Sequence, residues 1–92
     1  MAAKILTLHI YNDPGHGWVR VKRAMLAALG IEDQITRFSY QNGSWCYLEE
    51  DCDAGRLISA LKNRGVAFKL KSHYCNTDSR IRCYDSYRVD KT

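Results

Sequence analysis
The sequence predicts an α+β fold in the order β-α-β-β-α-β, with a mainly antiparallel sheet and two helices on one face, and three observations predict it. Residues 4–12 and 66–71 alternate side chains at the period of a strand. Residues 22–29 and 53–63 instead repeat apolar side chains every three to four positions, and a glycine follows each run. Gln41-Asn42-Gly43 separates two runs of branched and aromatic residues, a strong short-range signal for a hairpin. This order is the split βαβ, or ferredoxin-like, arrangement, expected here as one small domain over residues 1–92.

Each element has its own justification. Lys4 to Asn12 sets Leu6, Leu8 and Ile10 against Ile5, Thr7, His9 and Tyr11, so this strand belongs in the middle of the sheet. Asp13-Pro14-Gly15-His16-Gly17 breaks it, and the glycine pair matches no phosphate-loop spacing. The first helix follows, most clearly from Lys22, with Met25, Leu26 and Leu29 on one stripe and Gly30 beyond; Trp18, Val19 and Val21 read as an extended lead-in. Arg20, Lys22 and Arg23 crowd the start of that helix, where cations oppose its dipole and hint at an anionic ligand. Residues 35–40 and 44–49 are the two hairpin strands. Ala54, Leu57, Ile58 and Leu61 form the stripe of the second helix, which Asp51 or Asp53 would cap, and the last strand covers 66–71. Residues 89–92 read as a loose tail.

Composition bounds the function. A 46% hydrophobic, 26% charged chain with one proline is globular rather than disordered. No apolar run approaches the roughly 20 residues that cross a bilayer, and the first residues turn polar too soon for a secretion signal, so a cytoplasmic setting is expected. In that compartment Cys46, Cys52, Cys75 and Cys83 are expected reduced, and their spacings are too wide for zinc knuckles, so no metal or other cofactor is expected. The net charge of +4 is unevenly spread: residues 32–53 carry six acids against Arg37, whereas residues 62–92 carry eight bases against three acids.

The densest grouping of cations, aromatic rings and hydrogen-bonding groups is Val66 to Arg88. Lys69 and Lys71 fall on the outward side of the last strand, and Arg80, Arg82 and Tyr84 share one side of the following segment if it is extended. Lys69, Lys71, His73, Arg80, Arg82, Tyr84 and Arg88 therefore form the candidate surface for a partner or a nucleic acid, since cations beside rings suit phosphates and bases. The competing reading is a charged strand edge that serves only solubility. Glu49, Glu50 and Asp51 form a candidate second contact, against their ordinary role at a helix start. No nucleophile, base and orienting group assemble along the chain, so an enzyme is not expected; a nuclease would need His16 or His73 with Asp13 or Asp85.

YNDPGHGW near the front, YLEEDCDA in the middle and SRIRCYDSY at the end resemble a group of small proteins of bacteriophages and mobile elements, over most of the chain. Within it the sequence resembles an anti-CRISPR protein of type I-F; it departs from the pattern at Lys22, where similar sequences often have proline, which puts a shared role for that position in doubt. The resemblance implies a phage-encoded inhibitor in the host bacterial cytoplasm. Such a protein binds a type I CRISPR RNA-guided complex stoichiometrically, through its protein backbone and guide RNA, and blocks target DNA hybridisation. Because this chain is net basic, residues 69–88 would meet guide RNA or an acidic subunit surface, while Glu49, Glu50 and Asp51 would meet lysines of the complex. The alternative is a stand-alone phage DNA- or RNA-binding protein, whose affinity for bare nucleic acid would fall steeply with salt.

Overall fold
The computed structural model describes residues 5–89, so Lys4 at the front of the first expected strand and the end of the expected tail lie outside the described residues. The strands β1 (Leu6–Asn12), β2 (Gly17–Lys22), β3 (Tyr40–Asn42), β4 (Trp45–Glu49), β5 (Phe68–Tyr74) and β6 (Asp85–Ser86) make one sheet in the order β5-β1-β2-β4-β3-β6. Its pairings are antiparallel except that of β1 with β5. Helices α1 (Arg23–Ala28) and α2 (Ala54–Asn63) complete the α+β fold. Strands β1, β3, β4 and β5 keep the relative order of a split βαβ sheet, with β2 inserted between β1 and β4 and β6 added at the far edge.

The inserted strand is the segment that reads as a helix lead-in. Val19 and Val21 alternate with Trp18, Arg20 and Lys22, and branched residues favour the pleated surface over a helical turn. A side chain sets the reversal before it: Asp13 Oδ1 accepts the backbone N–H groups of Gly15 and His16 at 3.0 and 2.9 Å. At Gly17 the ends of the Asn12 and Glu50 side chains lie where a Cβ would stand, so any larger residue would make those side chains shift. Helix α1 is consequently short, starting only at Arg23.

Residues 35–39 are turns, not the expected strand, and β3 begins at Tyr40. The reason is a carboxylate from elsewhere in the chain. Asp53, wholly buried, accepts hydrogen bonds from the Thr36 N–H, the Thr36 hydroxyl and the Ser39 hydroxyl, which satisfies this segment locally and frees it from a ladder. Asp53 accordingly does not cap α2 with its side chain. The Asn-Gly turn forms as expected between β3 and β4, with Gly43 at φ 61°.

Leu8, Val19, Val21, Cys46 and Leu48 from the sheet meet Leu26 of α1 and Leu57 and Leu61 of α2 in one core, so both helices cover the same face. Leu57 and Leu61 are fully buried, worth roughly 1.5–3 kcal/mol each. Tyr87 closes the far end of this core, donating its hydroxyl proton to the Glu32 carbonyl. Strand β5 starts later than expected and runs on to Tyr74, and as an edge strand it leaves Leu70 49% exposed. The cysteines are free thiols, Cys46 buried in the core and Cys52, Cys75 and Cys83 exposed. Among the described residues no helix is long and apolar enough to cross a membrane.

Candidate nucleic-acid interface
The other face of the sheet carries neither α1 nor α2, and its side chains follow from strand register. Lys71, His9, Arg20, Tyr47 and Tyr40 are consecutive partners across five strands, and His73, Tyr11, Trp18 and Glu49 form the neighbouring row. Residues paired directly across strands share a face, so these rows are a continuous band of rings and cations.

Two clusters organise the band. At one flank His9 Nδ1 and His73 Nε2 lie 2.9 Å apart, and the His73 ring stacks on Tyr11 with centroids 4.9 Å apart and planes 15° apart. Burial among these rings lowers the His9 pKa, and the charges of Arg20, His73 and Lys71 push it the same way. In the centre the Arg20 guanidinium lies 4.2 Å from the Trp45 ring centroid, and the Lys22 ammonium lies 4.6 Å from the same ring.

Part of this face is covered by the chain after β5. Residues Arg80–Cys83 form a short 3-10 helix, started by the Ser79 hydroxyl accepting from the Ile81 N–H, and Ile81 is buried against Trp18 and Tyr47. The extended run expected for 80–84 is therefore replaced by a helical turn, and Arg80, Arg82 and Tyr84 do not share one side. Arg82 turns inward. Its Nε and Nη2 donate to the buried Asp13 carboxylate at 2.7 and 2.8 Å. These bonds, with N–H groups from Ser79, His16 and Gly15, hold the Asp13 carboxyl well below the usual carboxylate range. Arg82 thus fastens this strap to the β1–β2 turn.

The strap leaves a cleft of about 330 Å³, bounded by Tyr11, Tyr47 and Tyr84 with Arg20 and Arg80 at its sides. Tyr47 and Tyr84 have ring centroids 5.2 Å apart, and the buried Arg20 Nε has no hydrogen-bond partner among the described residues. Burial raises the Tyr47 pKa, so its hydroxyl keeps its proton and can donate. Planar rings with the Arg20 and Arg80 guanidinium groups beside them can stack a base and hold its phosphate.

Of the residues expected to bind a partner, Lys69, Lys71 and His73 lie on β5 on the uncovered face, while Arg80 and Tyr84 border the cleft. Arg88 is elsewhere: its N–H donates to Gln41 Oε1 at 2.9 Å and its carbonyl accepts from Arg23 Nη1 at 3.1 Å. Arg23 is thereby committed to anchoring the segment after β6, which removes one of three cations whose position hinted at a ligand; Arg20 and Lys22 do lie on the candidate face. Glu49, Glu50 and Asp51 sit together at the end of β4, beside His16 of the β1–β2 turn. Tyr11, Tyr47 and Trp45 were not among the expected site residues, because only the register of β1, β2 and β4 brings them together; the alternation Trp18-Val19-Arg20-Val21-Lys22 signals only that Arg20 and Lys22 lie opposite the two valines. Comparison with protein-family models, curated proteins and solved structures gives no match to this chain.

Proposed function
We propose that the face of the sheet opposite α1 and α2 binds single-stranded RNA, and that in a phage-infected cell this face holds the guide of a type I, most specifically type I-F, CRISPR surveillance complex. Stoichiometric occupancy of the guide would block target DNA hybridisation in the host bacterial cytoplasm without any catalytic step. The observation that carries the RNA reading is the cleft itself, in which the Tyr11, Tyr47 and Tyr84 rings are flanked by the Arg20 and Arg80 side chains, since rings beside cations stack bases and hold phosphates. Lys69 and Lys71 extend the basic track along β5. Support for the CRISPR setting is the resemblance of YNDPGHGW, YLEEDCDA and SRIRCYDSY to type I-F inhibitors, and the acids at the end of β4 would face the lysines of the protein subunits.

The cleft is equally suited to a stand-alone nucleic-acid-binding role, and one experiment separates the two. Target-DNA hybridisation by a purified type I-F complex is followed while wild-type protein, or protein carrying Lys69→Glu and Lys71→Glu, is titrated in. Stoichiometric block by wild type and loss of block in the variant, at unchanged melting temperature, supports inhibition. Absence of block with retained, salt-sensitive binding to bare oligoribonucleotide assigns the stand-alone role. Neither block nor RNA binding refutes the proposal.

A further inference from the structure
A second cleft opens at the opposite end of β2 from the Arg20–Trp45 stack. Its volume is about 390 Å³, and Trp18, Phe38 and Tyr40 wall it on the apolar side. His16, Glu49 and Asp51 converge there, with one ligand atom from each lying within 4.8 Å of the others. We infer that this triad binds a divalent transition-metal ion, Mn²⁺ or Zn²⁺ by donor type, through one imidazole nitrogen and two carboxylate oxygens.

Three observations beyond the clustering of acids point to a ligand. Glu49 is 8% exposed, and among the described residues no lysine or arginine pairs with it; an imidazole nitrogen, 3.5 Å away, and the neutral Cys52 thiol face its carboxylate. A carboxylate so buried calls for a full cation. Trp18, 1% exposed, also lines this cleft, and its indole N–H has no hydrogen-bond partner among the described residues. That donor suits an anion or water held on an ion. Finally, the donors differ in kind. Magnesium and calcium sites use oxygen alone, whereas an imidazole beside carboxylates suits manganese and zinc, and three protein ligands leave positions open to solvent or a small ligand.

The backbone holds the ligands in place before any ion arrives. The His16 N–H is fixed by Asp13, and the Glu50 N–H donates to the Gly17 carbonyl at 2.9 Å, so the β1–β2 turn and the end of β4 are already joined. An ion would fasten them further. The site shares no residue with the tyrosine cleft, but Glu49 and Asp51 are also the acids proposed to face lysines of the complex, so a bound ion would compete with that contact.

The test uses Mn²⁺ alone, followed by electron paramagnetic resonance during titration of the intact protein. The expected result is one Mn²⁺ per chain, with affinity reduced roughly tenfold or more in His16→Ala and in Asp51→Asn. His73→Ala, in the other histidine cluster, should bind as wild type does. Thermal melts check folding, and His16 and Asp51 are both exposed, so the variants should melt as wild type does without metal. No bound Mn²⁺ at millimolar concentration overturns the inference. So does equal binding by wild type and both variants, and so does complete displacement by an equal concentration of Mg²⁺, which would reveal an acidic patch without imidazole selectivity.

Discussion
Replacing Lys69 and Lys71 with alanine removes two of the five cations, Arg20, Lys22, Lys69, Lys71 and Arg80, that share the proposed RNA-binding surface. On single strands each neutralised phosphate contributes about −0.7 to the slope of log affinity against log salt, so five contacts give a slope of about −3.5. Raising salt fourfold, from ~50 to ~200 mM, should then weaken wild-type binding roughly 100-fold. With three cations left the slope becomes about −2.1 and the same change weakens binding only roughly 20-fold. Both lysines are exposed and make no ion pair among the described residues, so stability should change by no more than about 0.5 kcal/mol. Fluorescence anisotropy of a labelled oligouridine across that salt range reads both slopes. Equal slopes in wild type and variant would refute the assignment of these lysines to phosphate contact, and a flat wild-type response would remove the electrostatic argument altogether.

Three further outcomes follow from the structure. Asp53→Ala strips the acceptor from the Thr36 N–H, the Thr36 hydroxyl and the Ser39 hydroxyl, and should cost about 3 kcal/mol in urea unfolding; a loss below about 0.5 kcal/mol would show that residues 35–39 do not depend on that carboxylate. His9 has a lowered pKa, so the folded state prefers its neutral form: stability is complete above pH ~6.5 and declines as pH falls through the folded value, while RNA affinity rises because a bound phosphate favours the proton. Melts and anisotropy at pH ~8 and ~5.5 should move in opposite directions, and His9→Gln should flatten both. For Asp13 the depressed pKa gives stability that is present above the unfolded carboxylate value, about 4, and is lost as pH drops below it; Arg82→Gln should lower the melting temperature at neutral pH and flatten its acid dependence, and an unchanged acid profile would deny the pair that role.

Local signals carried β1, β4 and α2, because alternation, the Asn-Gly turn and the 54-57-58-61 stripe are properties of contiguous residues. They failed where a distant group decides. Ile35 to Ser39 has strand composition, but the carboxylate that folds it into turns belongs to Asp53. Arg80 to Tyr84 alternates on paper, yet Ser79 and the Asp13–Arg82 pair, separated by 69 positions, curl it into a 3-10 turn. The binding surface divides in the same way. Lys69, Lys71 and Tyr84 were visible as part of one dense stretch, whereas Arg20, Tyr11 and Tyr47 become neighbours only through the register of β1, β2 and β4. Arg82 looked like another surface cation because nothing near it in sequence announces a buried carboxylate.

The strap also fixes when the tyrosine cleft can come into existence. Tyr11 and Tyr47 belong to the body of the sheet, but Arg80, Ile81 and Tyr84 arrive from the chain beyond β5, which itself must first pair with β1 across 62 positions, as in Leu6 with Phe68. Closure over such separations is slow, and on the ribosome it must wait for those residues to emerge. A nascent chain held before residue 79 can therefore already contain β1, β2 and β4 while lacking one wall of the cleft. The proposed RNA competence would thus come in one step, when residues 79–84 dock through Asp13 and Arg82 onto the face formed by β1, β2 and β4, rather than gradually.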